Sequence, residues 1–383
     1  MTASGMPPVR IPFNRPYFSG REFDYMRRAL EAGHISGDGD FSKECQRLLE
    51  RTLGVPKVLL TTSCTAALEM AALLCGVGPG DEFVLPSFTF VSTANAFFLR
   101  GARPVFVDIR EDTLNMDEHL AAEAAGERTK AIVPVHYAGI GCEMEPILAR
   151  ARAVGASVVE DAAQGLGAAW HGRPLGTAGD MAALSFHETK NVSCGEGGAL
   201  ILNDPGFVER AEILREKGTN RSRFFRGQVD KYTWVDIGSS FLPSDLLAAF
   251  LLAQLERLDE ITGLRRRLYE RYAQELAPLE RGGRARLPVI PAHCQPNYHI
   301  YYLLLDDVRT RDALIAHLRA AGILAVFHYL PLHLSPVGRS LGYQDGQFPV
   351  TESVSGRLLR LPLYAGLTAE DQERVISTVL AFF

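Results

Sequence analysis

The sequence has few cysteines for its length, and no two of them are closely spaced. Only six occur among 383 residues, and none belongs to a C-x-x-C pair. They are Cys45, Cys64, Cys75, Cys142, Cys194 and Cys294. This scatter argues against a zinc ribbon, an iron–sulfur cluster and a disulfide framework, so no metal site is expected. It is typical of a protein kept in the reducing cytosol.

Long apolar runs and clusters of basic charge are also missing. No stretch of about 18 apolar residues is present to span a bilayer. The first 13 residues lack a basic start followed by an apolar run, so no signal peptide is expected. The 40 basic and 45 acidic residues are spread along the chain, with a net charge of -5. A cytoplasmic protein without nucleic-acid or membrane partners is therefore predicted.

Short apolar segments alternate with helical patterns through the first part of the chain. The predicted strands are 58–61, 83–86, 104–107, 131–135, 157–160, 182–186 and 199–202. Helices are predicted between them, for example over 65–74 and 143–154. Several of the strands are apolar throughout, as strands covered on both faces must be. The pattern indicates an α/β fold with a mostly parallel sheet sandwiched by helices.

The second part of the chain has a different pattern. A long helical pattern over 244–276, ended by Pro278, leads out of the first layer. Beyond it, strands are predicted over 298–305 and 323–329, and helices over 311–321 and after Thr368. We therefore expect a large domain over 1–249, followed over 250–383 by a bridging helix and a small α+β domain.

Ligands of open α/β sheets bind beyond the carboxyl ends of the strands. After the first strand, Ser63, Cys64 and Thr65 open a helix, where free backbone N–H groups favour a phosphate. An ordinary helix cap is the alternative, and for these residues alone the more common one. After the second strand, Phe88 and Phe90 either stack on a flat ring or pack in the core, and core packing is the more common outcome.

An aspartate follows the fifth predicted strand. Asp161 either caps the next helix or holds the ring nitrogen of a pyridinium cofactor by a charge-assisted hydrogen bond. The second arrangement keeps such a ring protonated and electron-withdrawing. Gln164 follows three residues later and would reach the phenolic oxygen of the same ring.

A lysine follows the sixth predicted strand, in the segment SFHETKN (185–191). Lysine is usually a solvated surface residue. Lys190, however, follows an apolar strand among small and polar residues, where an amine of lowered pKa would form a Schiff base. The segment is not a zinc-protease motif, because Asn191 occupies the place of the second histidine. The run Gly195 to Gly198 precedes a strand, so it is not a dinucleotide fingerprint either.

At Asp161-x-x-Gln164 and Ser185-x-x-x-x-Lys190-Asn191 the sequence resembles the DegT/DnrJ/EryC1/StrS family of sugar aminotransferases. The similarity extends from Ile11 to the end of the chain. The segments that carry it are SCTA (63–66), TFVSTANAF (89–97), VPVHYAG (133–139), SFHETKN (185–191) and 216–234. The resemblance implies a fold-type-I enzyme that uses pyridoxal 5'-phosphate (PLP) and forms a homodimer with shared active sites.

The resemblance also implies roles for individual residues. Lys190 would bind the cofactor covalently and carry the proton, while Asp161 would pair with the pyridine nitrogen and Gln164 would contact the phenolic oxygen. Phe90 would stack on the ring. The phosphate would be held by Ser63, Cys64, Thr65 and Ser185. The family commonly adds an asparagine from the neighbouring subunit, and here Ser240 occupies that position, with Leu242 in place of an arginine.

The reaction that the resemblance implies moves an amino group from L-glutamate to carbon 4 of dTDP-4-keto-6-deoxy-D-glucose. The product would be dTDP-4-amino-4,6-dideoxy-D-galactose, a sugar for a lipopolysaccharide or another cell-surface polysaccharide. The loop 218–234 would hold the nucleotide diphosphate through Arg221, Arg226 and Lys231, unless it is simply a solvated basic loop. His328 would line the sugar pocket, and His333 is a second candidate.

Three alternatives stay open from the residues alone. The first is an aminotransferase that acts at carbon 3 or on another nucleotide sugar, including a UDP sugar. The second is a sugar dehydratase, but in such relatives a histidine replaces the Schiff-base lysine, and here Lys190 is present. The third is a sensor that binds the cofactor without catalysis. A DNA-binding segment, which would favour the sensor, is missing from the sequence.

Overall fold

A computed structural model describes residues 8–383. Within this part of the chain the α-helices are α1 (Glu22–Glu31), α2 (Asp40–Leu53), α3 (Cys64–Leu74), α4 (Val91–Phe98), α5 (Glu118–Ala124), α6 (Met144–Val154), α7 (Val208–Arg215), α8 (Arg221–Phe225), α9 (Asp245–Leu255), α10 (Leu258–Arg281), α11 (Val308–Ala320), α12 (Pro336–Ser340), α13 (Pro349–Arg357) and α14 (Ala369–Leu380). No helix of residues 8–383 combines the length and the hydropathy that a membrane span requires.

The strands of the same part of the chain form three sheets. They are β1 (Lys57–Thr61), β2 (Glu82–Pro86), β3 (Arg103–Val107), β4 (Thr129–Ile132), β5 (Ser157–Asp161), β6 (Ala169–Trp170), β7 (Arg173–Pro174), β8 (Met181–Ser185), β9 (Gly198–Leu202), β10 (Ala285–Arg286), β11 (Cys294–Gln295), β12 (Tyr301–Leu305) and β13 (Leu358–Leu361). All seven strands predicted for the first part of the chain are present, with ends that differ from the prediction by at most three residues.

The large sheet has seven strands in the order β1-β9-β8-β5-β4-β2-β3. Only β9 runs against its neighbours, because β1 and β8 both pair with it in antiparallel register. The other neighbours pair in parallel. Buried side chains pack on both faces of this sheet, which explains why its strands are apolar throughout. The predicted α/β sandwich with a mostly parallel sheet is therefore confirmed.

The smaller C-terminal layer is built on the antiparallel sheet β10-β12-β13. Helices α10, α11 and α14 cover this sheet, and Tyr272, Leu303 and Val375 are among the residues of its core. Ile11 also belongs to that core, because the chain near the N-terminus pairs in parallel with Ile323. The third sheet, β11-β6-β7, is a short ribbon on the surface of the large layer.

The prediction of one long helical pattern over 244–276, ended by Pro278, was wrong in two respects. The helical pattern over 244–276 forms two helices, α9 and α10, because Arg257 leaves helical geometry at φ -113° and ψ 15°. Pro278 does not end α10, which continues to Arg281. Proline so near the end removes only one hydrogen bond, and its own carbonyl accepts from Gly282 N–H at 2.9 Å.

The segment 323–329 is not a regular strand. It forms only two isolated bridges, one from Ile323 to Ile11 and one from Val326 to Arg360 of β13. Its backbone groups thus pair with two different segments in turn, which prevents a continuous ladder. The irregular path brings 326–329 to the boundary between the large and small sheets, where the candidate site lies.

Candidate active site

A cavity of about 810 Å³ lies between the carboxyl end of the large sheet and the small C-terminal sheet. It is lined by nine of the predicted site residues: Ser63, Cys64, Thr65, Phe90, Asp161, Gln164, Ser185, Lys190 and His328. These residues lie at or after the carboxyl ends of β1, β2, β5 and β8, or belong to the segment 326–329. Since the carboxyl ends of neighbouring parallel strands meet at one edge, the sheet alone brings most of them together.

The N-terminus of α3 forms one end of this cavity. Ser63 caps the helix, and its hydroxyl accepts a hydrogen bond from Ala66 N–H at 3.0 Å. Ser63 therefore caps the helix, which was the alternative to a phosphate-binding role. It also lines the cavity, so the two roles do not exclude each other. A Cβ atom on Gly198 would lie 2.3 Å from the backbone carbon of Ser63, so only glycine fits there. This close approach explains the glycine at the start of β9, and it leaves a helix N-terminus suited to a phosphate.

Asp161 ends β5 and is 6% exposed. One carboxylate oxygen accepts a hydrogen bond from Thr93 Oγ1 at 2.7 Å, and the other accepts from Ala163 N–H at 3.1 Å. No helix begins after Asp161, because the chain turns and next forms β6. The alternative of a helix cap was thus wrong. The carboxylate is held as a hydrogen-bond acceptor at the wall of the cavity.

The side-chain amide of Gln164 is oriented by the backbone of another loop. Its oxygen accepts a hydrogen bond from Ala138 N–H at 2.7 Å. The amide nitrogen, which is only a donor, is left as the group of Gln164 that can contact a ligand. Such a donor suits an anionic phenolic oxygen, in agreement with the role that the resemblance implies.

Lys190 lies in the turn after β8, where its backbone N–H donates to His187 O at 2.9 Å. The side chain is half-buried, and its ammonium group forms no ion pair with any residue of the range 8–383. Burial lowers the pKa of this amine, and the positive charge of Arg360 lowers it further, while Cys64 and Asp161 act in the opposite direction. Lys190 is thus a desolvated amine and not a solvated surface residue, which favours its neutral, nucleophilic form.

The two aromatic residues after β2 have different environments. Phe88 is 1% exposed and packs on Tyr137, with 5.2 Å between the ring centroids. Phe90 is 55% exposed and lines the cavity beside Tyr329, at a centroid distance of 6.2 Å. Core packing, the more common outcome, was therefore correct for Phe88 and wrong for Phe90. Phe90 is the residue of the pair that can stack on a planar ligand.

Several cavity residues were not predicted from the sequence, among them Thr93, His299, Tyr329 and Arg360. His299 Nδ1 is hydrogen-bonded to the side-chain oxygen of Asn191 at 2.8 Å. Asn191 follows Lys190, so this bond connects the lysine turn to the segment that leads into β12 of the small C-terminal sheet. Burial lowers the pKa of His299 well below its ordinary value, with Lys190 adding to the effect. The position of Asn191 in SFHETKN was the only sequence signal for this contact.

The two candidate histidines of the segment HYLPLH (328–333) have different roles. His328 lines the cavity, and its Nδ1 is hydrogen-bonded to Tyr137 Oη at 2.8 Å. Burial lowers the pKa of His328 well below its ordinary value, so the ring is neutral. His333 lies outside the cavity, between Ser87 Oγ at 2.7 Å and Glu352 Oε1 at 3.1 Å. His333 is thus a structural residue that joins the two layers.

The predicted nucleotide-binding residues do not line the cavity of their own chain. Arg221 lies 3.3 Å from Glu216 Oε2, and Arg226 lies 2.8 Å from Glu212 Oε2. Lys231 is exposed, as is Ser240, the residue that the resemblance assigns to a neighbouring subunit. Part of the loop forms the helix α8, so the loop is not fully irregular. None of its residues lines the cavity around Lys190 of the same chain.

Three residues of types that can bind a metal ion lie close together outside the cavity. Side-chain donor atoms of Glu143, His171 and His293 lie within 4.8 Å of one another. The two imidazole rings, however, are stacked with only 10° between their planes. A metal ion must lie in the plane of each imidazole that binds it, so stacked parallel rings do not share an ion. This arrangement does not change the expectation that the protein has no metal site.

Comparison with known proteins is consistent with this site. The model of the DegT/DnrJ/EryC1/StrS aminotransferase family matches residues 16–380. GDP-perosamine synthase of Caulobacter vibrioides is 35% identical over 97% of both chains. The spore coat polysaccharide biosynthesis protein SpsC of Bacillus subtilis is 33% identical over 96% of both chains.

Solved structures agree with the sequence relatives. The aminotransferase TlmJ from Streptoalloteichus hindustanus superposes with a TM-score of 0.89 at 35% identity, over 97% of this chain and 98% of its own. The PLP form of Streptococcus pneumoniae Spr1654, assigned as a sugar aminotransferase, has a TM-score of 0.89 at 28% identity, over 97% and 98% of the two chains.

The cavity fits the cofactor of these enzymes. The glycine-lined N-terminus of α3 suits its phosphate, the carboxylate of Asp161 suits a protonated ring nitrogen, and the amine of Lys190 has no other partner among the described residues. When bound, PLP withdraws electrons from the carbon that carries the amine and so makes the proton on that carbon acidic. The chain therefore belongs to the DegT/DnrJ/EryC1/StrS family, as a sugar aminotransferase whose cofactor is pyridoxal phosphate.

Proposed function

We propose that this enzyme transfers the amino group of L-glutamate to carbon 4 of dTDP-4-keto-6-deoxy-D-glucose, giving dTDP-4-amino-4,6-dideoxy-D-galactose. The observation that carries the proposal is a single cavity in which Lys190, Asp161 and the N-terminus of α3 meet. The choice of donor and sugar is supported by the sequence resemblance, above all in the segment 216–234. The product would serve the synthesis of a lipopolysaccharide or another cell-surface polysaccharide.

In this proposal Lys190 and Asp161 are the catalytic residues. The neutral amine of Lys190 holds the cofactor and then moves a proton between the cofactor and the substrate carbon. Asp161, fixed by Thr93, keeps the ring nitrogen protonated. Gln164 donates to the phenolic oxygen, Phe90 stacks on the ring, and Ser63, Cys64, Thr65 and Ser185 bind the phosphate.

The sugar nucleotide binds, in this proposal, between two subunits of a homodimer. His328 lines the sugar side of the cavity, and the loop 218–234 of the second subunit holds the diphosphate through Arg221, Arg226 and Lys231. Exposed apolar side chains of this loop support its burial against a second subunit: Phe225 is 69% exposed and Trp234 is 79% exposed. Ser240 would add a hydrogen bond to the cofactor of the neighbouring subunit.

A GDP-linked keto sugar is the second candidate substrate. It is favoured by the similarity to GDP-perosamine synthase, which extends over nearly the whole of both chains. In that case the reaction at the cofactor is the same, and only the contacts to the nucleotide differ. Amination at carbon 3 is the other alternative, because the residues around Lys190 do not distinguish neighbouring positions of the sugar ring.

Incubation of the PLP-loaded enzyme with L-glutamate and one keto sugar at a time tests the proposal. The dTDP, UDP and GDP forms of 4-keto-6-deoxyglucose are compared, and the product is identified by NMR. We expect a 4-amino sugar with galactose stereochemistry, formed fastest from the dTDP form and absent with Lys190→Ala. Faster turnover of the GDP form would replace the proposed substrate by the second candidate, and a 3-amino product would overturn the assignment to carbon 4.

A further inference from the structure

Asn191 and His299 meet where the lysine turn contacts the segment that leads into β12. Asn191 binds this segment with both ends of its side-chain amide. Its Nδ2 donates to the backbone carbonyl of Asn297 at 2.9 Å, and its Oδ1 lies 2.8 Å from His299 Nδ1. Asn297 is itself held by its side chain, which donates to the carbonyls of Gln164 and Leu166 at 2.7 and 2.8 Å. The carbonyl that Asn191 binds is therefore fixed in place.

These contacts determine which ring nitrogen of His299 carries a proton. A carbonyl oxygen only accepts, so the end of the Asn191 amide that contacts Asn297 must be the NH₂ group. The other end is then the oxygen, which also only accepts, so His299 Nδ1 must donate in the second bond. Burial and the nearby charge of Lys190 lower the pKa of His299 well below its ordinary value, so the ring is neutral and has this one ring proton. His299 Nε2 therefore keeps a free lone pair.

This lone pair is left for a ligand in the cavity. Within residues 8–383 His299 Nε2 forms no hydrogen bond, and His299 lines the cavity that contains Lys190. The backbone before it is strained, because Tyr298 has a φ of 56°, a value that tyrosine rarely adopts. Arg265 donates to the carbonyls of Tyr298 and His299 at 3.0 and 2.6 Å, which fixes this conformation from the side opposite Asn191. Strain that is held in place in this way is typical of functional sites.

The other candidate histidine of the cavity presents the opposite group. Tyr137 is buried, and its phenol has only one hydrogen-bond partner within residues 8–383, His328 Nδ1 at 2.8 Å. A buried O–H without an acceptor is unfavourable, so the phenol donates to Nδ1, and the ring proton of the neutral His328 is on Nε2. His328 therefore offers the cavity a hydrogen-bond donor, whereas His299 offers it an acceptor.

The chemistry of the two substrates indicates which one meets this acceptor. Besides the amine that is transferred, the reacting carbon of L-glutamate bears a hydrogen, an alkyl side chain and a carboxylate, and none of these donates a hydrogen bond. The reacting carbon of a 4-keto-6-deoxy sugar lies between carbon 3, which bears a hydroxyl, and carbon 5, which bears a methyl group and the ring oxygen. The hydroxyl on carbon 3 is thus the one donor next to the reacting carbon. An acceptor near Lys190 suits the sugar and not the amino acid.

We propose that His299 Nε2 accepts a hydrogen bond from the hydroxyl on carbon 3 of the keto sugar, and that Asn191 fixes the tautomer that this contact requires. The inference rests on the proposed function, since it places the keto group at carbon 4. It applies to the dTDP, UDP and GDP forms alike, because the contact is to the sugar ring. His299 is then a residue that selects the substrate, and Asn191 is a positioning residue.

Removing either partner of this hydrogen bond tests the proposal. The enzyme is first converted to its amine form with L-glutamate, and its reaction with the sugar is then followed by the absorbance of the cofactor. The 3-deoxy analogue of the keto sugar lacks the donor, so wild type should need a roughly 5- to 10-fold higher concentration of it for the half-maximal rate, the effect of one hydrogen bond. His299→Phe lacks the acceptor and should weaken the reaction of the normal sugar by a similar factor. It should weaken that of the analogue little further, and the glutamate half-reaction should change little.

A surface histidine provides the matched control. His119 is exposed on α5 and lies outside the cavity, so His119→Phe should react with both sugars as the wild type does. An equal penalty of His299→Phe for both sugars would mean that His299 acts through packing, and would overturn the proposal. Equal use of both sugars by the wild type would overturn it as well, and this measurement needs no variant to fold. If wild type does not aminate the 4-keto sugar, the proposed function itself fails.

The tautomer of His299 can be observed without turnover. Nitrogen NMR of the PLP-loaded enzyme with isotope-labelled histidine distinguishes a ring protonated on Nδ1 from one protonated on Nε2, and the signal absent from His299→Phe is that of His299. We expect the proton on Nδ1 in the wild type, and a signal from the Nε2-protonated ring would overturn the proposal.

Asn191→Leu tests the positioning role by the same measurement. It removes both contacts of the amide, so the ring proton should move to Nε2, the form that a free neutral histidine favours. The acceptor then becomes a donor, and the normal sugar should lose its advantage over the 3-deoxy analogue. An unchanged tautomer and an unchanged preference between the two sugars would overturn the role of Asn191.

Discussion

Thr93 Oγ1 donates a hydrogen bond of 2.7 Å to the carboxylate of Asp161. Thr93 is fully buried, and its hydroxyl lies 2.8 Å from that of Thr89. Because a hydroxyl has one proton, Thr93 can donate to Asp161 while it accepts from Thr89. The three side chains thus form a chain of hydrogen bonds that ends on the carboxylate and orients it toward the cavity.

This chain of bonds makes Thr93 a positioning residue for Asp161. Thr93→Val keeps the shape and removes the donor, and a hydrogen bond to a charged group contributes about 1.5–3 kcal/mol. We expect kcat to fall by roughly 10- to 100-fold, with an altered absorbance of the bound cofactor. Thr93→Ser, which keeps the hydroxyl, should retain most of the activity. Equal losses in both variants would indicate that packing, and not the hydrogen bond, is important at this position.

Lys190 is predicted to carry the cofactor covalently. Lys190→Ala should lose the visible absorbance band of covalently held PLP and should lose turnover, while the phosphate end of the cavity still binds the cofactor reversibly. Absorbance spectra and equilibrium dialysis measure the two effects. Lys217→Ala serves as a control for the loss of a lysine outside the cavity. Persistence of the band and of turnover in Lys190→Ala would falsify the assignment of Lys190.

The lowered pKa of Lys190 makes a prediction about pH. An unfolded lysine has a pKa of about 10.4, so the unfolded chain binds this proton more tightly than the folded protein does. The folded protein without cofactor is therefore destabilised at a pH below the folded pKa, and this penalty is lost as the pH rises toward about 10.4. Lys190→Met should raise the midpoint of thermal unfolding at pH 7, with a gain that shrinks toward pH 10.

A surface lysine provides the comparison for this pH series. Lys43 is exposed on α2. In Lys43→Met the change in the unfolding midpoint should be the same across the pH range. If the gain of Lys190→Met were also independent of pH, the substitution would act through packing and not through the desolvated amine.

The basic loop is predicted to affect only the sugar half of the reaction. Replacing Arg221, Arg226 and Lys231 by alanine should weaken binding of the sugar nucleotide and leave the glutamate half-reaction intact, because only the sugar substrate has phosphates. Added salt should mimic the replacement in part, since exposed charges are screened within about 8 Å at physiological ionic strength. Stopped-flow absorbance measures each half-reaction.

A second triple variant controls for the loss of three positive charges from the surface. It replaces three exposed arginines that form surface ion pairs: Arg257, Arg266 and Arg339. It should change neither half-reaction. Equal slowing of both halves by the loop variant, or of neither, would mean that the loop does not bind the nucleotide.

Light scattering tests the homodimer on which this arrangement depends, and a monomer that retains full activity would exclude a shared site.

The sequence predicted the part of the site that one sheet builds. Lys190 and Asp161 follow apolar strands, and parallel strands deliver their carboxyl ends to one edge, so the strand order was not needed to bring these residues together. Phe90 could not be distinguished from Phe88 in this way. Both follow the same strand, and only packing against Tyr137 and the small C-terminal sheet decided which ring was buried.

The tertiary structure alone decided which residues of the small C-terminal sheet and its flanking segments line the cavity. Arg360 and His299 are separated from Lys190 by more than 100 residues along the chain, and neither belongs to a motif that periodicity reveals. Their place depends on how β12 and β13 pair and on how the irregular segment near Val326 joins that sheet. Local patterns determine which strands and helices form, because hydrophobic periodicity acts over a few residues. Which distant side chains then share a cavity depends on packing between layers, and this is why the free ring nitrogen of His299 became visible only in the folded structure.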